Sequence, residues 1–121
     1  MKATFIELAP FREALADYLD DDGFASLEAA LMADPTAGDV IKGTGGLRKV
    51  RFADGRRGKG KRGGLRVIYF WWDGGKQFWL FAIYDKDEVD DLTAAQRKVL
   101  KGMLKAELEA KKTRLQGGAG R

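Results

Sequence analysis

Apolar residues along this chain change their period several times, and each change marks an element. "ATFIELA", residues 3–9, alternates as a short strand does, and Pro10 then fits the first turn of a helix, where a missing N–H is harmless. Phe11, Leu15, Tyr18 and Leu19 continue at helical spacing until "DDDG" interrupts them. Asp21 or Asp22 is the expected N-cap of a second helix, which turns Phe24, Leu27, Ala30 and Leu31 inward and stops at Pro35. Residues 36–46, "TAGDVIKGTGG", read as a turn-rich connection. They lack the Gly-Lys-Ser/Thr ending of a phosphate loop and lead into a strand instead of a helix.

Period-two spacing governs the middle of the chain. A strand over 47–52 puts Val50 and Phe52 on one face and Lys49 and Arg51 on the other. A second strand over 65–73 and a third, "KQFWLFAIY" over 76–84, flank the turn signal "DGG". The third is apolar nearly throughout and suits a central position covered on both faces. Thr93 and Gln96 then have the spacing of a capping box, opening a helix with Val99, Met103 and Ala106 inward, flanked by Leu100 and Leu104. Its outer face carries Arg97, Lys98, Lys101 and Lys105. The expected fold is α+β: a small antiparallel β-sheet, a meander of three strands with the short first strand, two N-terminal helices and a C-terminal helix. Residues 1–115 form a single domain and 116–121 a flexible tail.

Composition narrows the chemistry. The 121 residues contain neither cysteine nor histidine, which excludes Ser-His and Cys-His nucleophilic pairs and thiolate or imidazole zinc sites. No metal site and no cofactor is expected, since the carboxylates show no ligand spacing. "MKATFIELAPF" has no apolar run of secretory length and no segment is long enough to span a bilayer, so the expected location is cytoplasmic, with no membrane partner.

Charge is the sharper signal. The net +4 conceals segments of alternating sign, with 2 cations against 9 acids in residues 1–41 and 10 against 1 in residues 42–66. "GRRGKGKRGG", residues 55–64, holds only glycine and cations and runs straight into the aromatic strand "LRVIYFWW". A solvated loop is the plain reading of such a block; a polyanion that releases counterions on binding is the functional one. Glycines would let the backbone approach a sugar-phosphate chain closely. Trp71, Trp72, Phe78 and Trp79 fit core or interface packing better than base stacking.

Three separated pieces can meet on one sheet face. Lys49 and Arg51 come from one strand, Arg66 from the start of the next, and Tyr84 with Lys86 from the end of the third. Arginines can clamp a phosphate in two-pronged fashion, and a lysine or tyrosine can move protons. Together they suit metal-free RNA cleavage, in which a 2′-hydroxyl attacks the adjacent phosphate and arginines stabilise the transition state. Lys49 and Arg51 could equally be the solvent face of an edge strand, and Tyr84 a packing residue.

"GDVIKGTGGLRKVRF", "GKGKRGGLRVIYFWW" and "FAIYDKDEVDDLTAAQRKVLKGML", roughly residues 36–104, resemble the RelE/ParE superfamily of type II toxins, closest to its HigB branch. That resemblance implies a RelE-like fold and a ribosome-dependent mRNA endonuclease, an mRNA interferase that inhibits translation without a metal. Arg66 would be the transition-state arginine, Lys49 and Arg51 the paired strand cations, and Tyr84 with Lys86 the third-strand site. Arg48 and the loop cations Arg56, Arg57, Lys59, Lys61 and Arg62 would hold RNA. Partners would be the ribosome with its A-site mRNA and a cognate antitoxin of helix-turn-helix, HigA-like type, through which alone operator DNA is met. The chain departs from the family where Asp85 and Asp87 flank Lys86, and no tyrosine follows Tyr84. A ParE-like, non-catalytic gyrase inhibitor and a plain RNA-binding module are the alternatives on the same scaffold.

Overall fold

The computed structural model describes residues 2–53, 64–88 and 91–119. Strand β1 (Thr4–Glu7) leads into helices α1 (Ala9–Tyr18) and α2 (Asp21–Ala33). Pro10 lies in the first turn of α1, as its fixed φ and missing donor favour. The α2 N-cap is Asp20, one residue before the expected pair: its carboxylate accepts from the Gly23 N–H at 2.8 Å. Asp21 and Asp22 are therefore first-turn residues, where negative charge complements the helix dipole.

Four more strands and a helix follow. They are β2 (Asp39–Val40), β3 (Arg48–Phe52), β4 (Leu65–Trp72), β5 (Gln77–Asp85) and α3 (Ala94–Ala119). A short 3-10 turn, Asp73–Gly75, joins β4 to β5 and ends on Lys76 in the left-handed region at φ 52°. The capping box at α3 forms as its spacing demands, with Gln96 N–H donating to Thr93 Oγ1 at 3.1 Å and Thr93 N–H to Gln96 Oε1 at 2.9 Å. The helix runs past position 116, where a tail was expected, to Ala119.

The sheet is five-stranded in the order β1-β5-β4-β3-β2 and is mixed, which corrects the expectation of an antiparallel sheet. β3, β4 and β5 form the antiparallel meander, but β1 pairs parallel to β5, with Phe5 opposite Phe78. The intervening α1 and α2 supply the crossover that a parallel pairing requires. Residues 36–46, read as irregular, contribute β2, which pairs Asp39 with Lys49.

Both faces of the central strands are covered, which explains the unbroken apolar run of β5. On one face Phe11, Leu19, Leu27 and Leu31 pack on Leu65, Val67, Tyr69, Phe78, Leu80 and Ile83. On the other, Leu100 and Leu104 pack on Ile41, Leu47, Ile68, Trp79, Phe81 and Tyr84. Each fully buried leucine or phenylalanine contributes roughly 1.5–3 kcal/mol. The inward stripe of α3 is rotated from the expected one, because Leu100 and Leu104 are buried while Val99 is 63% exposed. Aromatic pairs close each face at the β4–β5 turn, where the Trp71 and Phe78 ring centroids lie 4.5 Å apart on one face and those of Trp72 and Trp79 5.6 Å on the other. Lys111 of α3 sits over the Trp72 ring at 5.7 Å, so the helix closes over this end too.

Candidate active site

The row of residues that crosses β3, β4 and β5 is set by register. Arg51 stands opposite Arg66, and Arg66 opposite Tyr84, so all three side chains leave the same face on neighbouring strands about 5 Å apart. Lys49, two residues before Arg51, shares that face opposite Ile68. Lys86 follows the end of β5 in a turn. The Asp85 carboxylate accepts from the Asp87 N–H at 2.7 Å, and the Asp85 carbonyl from the Glu88 N–H at 3.0 Å. Asp85, one of the two acids that set this chain apart at the sequence level, thus shapes the turn that presents the lysine.

A single irregularity makes the row possible. Tyr69 pairs with Leu80, but Ile68 pairs with Ala82, so Phe81 is an extra residue in β5. In a regular strand Tyr84 would share the face of Phe78 and Leu80, against α1 and α2. The bulge reverses the alternation and turns Tyr84 toward Arg66 and α3.

The five side chains line one open cavity of about 460 Å³, together with Ala37, Gly38, Asp39 and Val50. Lys49, Arg51, Arg66, Tyr84 and Lys86 are thereby brought together. Arg66 is 6% exposed, and its Nη1 donates to the backbone carbonyls of Leu65 at 3.2 Å and Gly64 at 3.5 Å, which fixes the guanidinium in the cavity floor. Lys49 Nζ is 3.8 Å from Asp91 Oδ1, and Arg97 Nη2 of α3 is 3.6 Å from Asp91 Oδ2. Cations so gathered repel one another; a phosphate entering the cavity relieves that repulsion.

Tyr84 separates this polar cavity from an apolar groove lined by Ile68, Phe81, Leu92, Val99 and Met103. Burial pushes its phenol above the usual tyrosine value; Arg66 opposes that shift and Asp91 adds to it. The phenol keeps its proton at neutral pH and is a hydrogen-bond or proton donor there.

Gly38 shapes the rim. Its φ is +82°, and a Cβ there would collide with the Lys49 carbonyl oxygen, so only glycine lets β2 close on β3. Tyr69 braces the same segment from the opposite face, its hydroxyl lying 2.7 Å from the Ala37 carbonyl and 3.0 Å from that of Pro35.

Arg48 is not part of the constellation. It points to the opposite face, where Nη1 donates to the carbonyls of Thr36 at 2.9 Å and Gly38 at 3.3 Å. Its surroundings are those of a brace for the 36–38 segment. Arg56, Arg57, Lys59, Lys61 and Arg62 lie outside the described residues. Trp71 and Trp72 are at the other end of β4, five and six residues from Arg66 and so roughly 16–20 Å away, packed against aromatic neighbours. Asp39 and Arg97 were missed. Asp39 lay in a stretch read as irregular, and Arg97 looked like one more cation on a basic helix face, although Asp91 six residues earlier was a visible partner.

Among the described residues no group of acids could hold a metal ion, and no helix is long and apolar enough to cross a membrane. No family model matches the chain. Among solved structures it is similar to a mutant of the E. coli toxin RelE in the free state, at 14% sequence identity and a TM-score of 0.47, over 74% of this chain and 90% of that one. That likeness assigns no activity, and the functional reading stands on the cavity itself.

Proposed function

We propose that the chain is a type II toxin of RelE-like, HigB-branch character: a metal-independent endoribonuclease that cuts mRNA in the ribosomal A site and is silenced by a cognate, HigA-like antitoxin in the cytoplasm. One observation carries the catalytic part, the convergence of Lys49, Arg51, Arg66, Tyr84 and Lys86 on a single cavity. The sequence resemblance over residues 36–104 supports the biological setting.

A bent ribonucleotide enters with its phosphate between Arg51 and Arg66. The 2′-oxygen attacks phosphorus, the P–O5′ bond breaks, and the products are a 2′,3′-cyclic phosphate and a 5′-hydroxyl. Arg66, held in the floor, stabilises the charge that the phosphate oxygens gain in the transition state. Tyr84, protonated at neutral pH, donates to the departing 5′-oxygen. Asp39, the carboxylate of the cavity lining, accepts the proton of the attacking hydroxyl. Arg51 and Lys86 hold the flanking backbone.

The test is transcript-end mapping after induction in growing cells. Wild type produces new ends within translated codons; Arg66→Ala abolishes them while its far-ultraviolet circular dichroism and thermal midpoint stay near wild type. Cleavage that survives in a folded Arg66→Ala variant refutes the assignment. Arrest with intact transcripts and induced DNA-damage signalling would identify a gyrase inhibitor instead.

A further inference from the structure

Beyond the cavity, the same face continues into a second basic recess. A space of about 200 Å³ lined by Asp39, Val40, Ile41, Lys42, Lys49, Asp91 and Arg97 shares Asp39 and Lys49 with the cavity. It shares Lys42 and Arg97 in turn with a groove of about 630 Å³, walled by Gly43, Lys98 and Lys101. Four cations, Lys42, Arg97, Lys98 and Lys101, thus meet where the turn after β2 faces the first turns of α3.

The recess is built. Thr44 is fully buried and its hydroxyl donates to the Ile41 carbonyl at 2.6 Å, which fixes the turn presenting Lys42. Gly43, at φ +83° with open space around it, leaves the groove wall bare backbone. The Arg97 Nε is buried with no hydrogen-bond partner among the described residues. Asp91 already places one carboxylate oxygen toward Lys49 and the other toward Arg97. A bridging anion at this point is therefore satisfied from two sides.

We propose that the groove between Lys42 and α3 is a second phosphate-binding subsite, which takes a phosphodiester of the same RNA strand away from the scissile one. Asp91 is its resident anion, the group the incoming phosphate displaces. The assignment rests on the reading of the cavity as an RNA site. The strand that fills the cavity is the occupant because the two spaces adjoin across Asp39 and Lys49, within reach of one continuous backbone.

Anisotropy with two uncleavable 2′-O-methyl RNAs, a trinucleotide and a nonanucleotide, over a salt series tests this. With the exposed pair substituted, Lys98→Ala/Lys101→Ala, the nonanucleotide loses affinity about tenfold or more at low salt. Its log–log salt slope falls by about 1.4, two contacts at roughly 0.7 each for a single strand. The trinucleotide is unaffected. Asp91→Asn moves the other way, raising nonanucleotide affinity about 2–5-fold.

Equal losses for both lengths, or an unchanged nonanucleotide slope in a variant whose wild type binds it, overturn the subsite and leave the cavity standing. Losses seen only on ribosomal subunits, with free nonanucleotide unaffected, overturn it in favour of ribosomal RNA. A wild type that binds the nonanucleotide no more tightly than the trinucleotide also overturns the subsite and leaves the cavity reading to transcript-end mapping.

Discussion

Tyr69→Phe isolates one strut of the site and gives a stability result whose size changes with pH. The substitution keeps the ring, which is fully buried against Phe78 and the α1–α2 face, so it opens almost no cavity. It removes the one phenolic proton shared between the Ala37 and Pro35 carbonyls. One net hydrogen bond of about 1 kcal/mol is lost, and a carbonyl left under-satisfied adds a similar amount, so the expected cost at pH 7 is about 1–2 kcal/mol. With a urea m-value of roughly 1–3 kcal/mol/M, the midpoint falls by on the order of 0.5–1.5 M. Burial raises the Tyr69 phenol to about 12, well above its ordinary value. A group so raised ionises more readily in the unfolded chain. Its contribution is complete below pH 10 and is lost as pH rises through about 12. The gap between wild type and Tyr69→Phe therefore narrows across that window, measured as the difference of urea midpoints so that the other tyrosines cancel. An unchanged midpoint at pH 7, or a gap that stays constant from pH 9 to 12, refutes the account.

Gly38→Ala forces a non-glycine residue to φ +82° against the Lys49 carbonyl, at a cost of about 2–4 kcal/mol. Because β2 has only two residues, the expected result is its release from β3, seen as fast amide exchange at Ile41 and loss of RNA binding before global unfolding. Arg48→Ala and Arg51→Ala separate the two sheet faces. The first lowers stability by about 1–2 kcal/mol and leaves the RNA salt slope unchanged; the second leaves the urea midpoint and lowers the slope by about 0.7. Tyr84→Phe lowers cleavage by about 10²–10⁴-fold, and the wild-type advantage persists to pH 10 and declines above it, since the phenol is raised. An advantage that vanishes below pH 9 would falsify the donor role. Thr93→Ala removes half of the capping box and costs about 0.5–2 kcal/mol in thermal or urea unfolding.

Local chemistry made much of this legible in advance. The helix boundary at Thr93, the doubly covered strand and the pairing of Lys49 with Arg51 on one face each follow from spacing alone. Other features depend on partners remote in sequence. The parallel docking of β1 on β5 is a choice among edges that alternation in "TFIE" does not encode. The rotation of α3 onto Leu100 and Leu104 instead of Val99 depends on where the sheet ends beneath it. Asp20 and Asp21 are chemically alike, so only the path of the chain leaving α1 decides which one caps α2. At the site, residue types identified the five converging groups, whereas the state of Tyr84 depends on the apolar groove behind it.

The extra residue at Phe81 gives β5 two phases, one counted from the β4–β5 turn and one counted from the far end. Any alignment, loop graft or strand redesign that numbers outward from "DGG" by strict alternation will pair Arg66 with an isoleucine and send the phenol to the wrong side. Inserting or deleting one residue between the bulge and Tyr84 should send the phenol toward α1 and α2, while a compensating change at the bulge should restore it. The geometry of the candidate site is in that sense stored as a parity, one that composition at the site leaves unspecified.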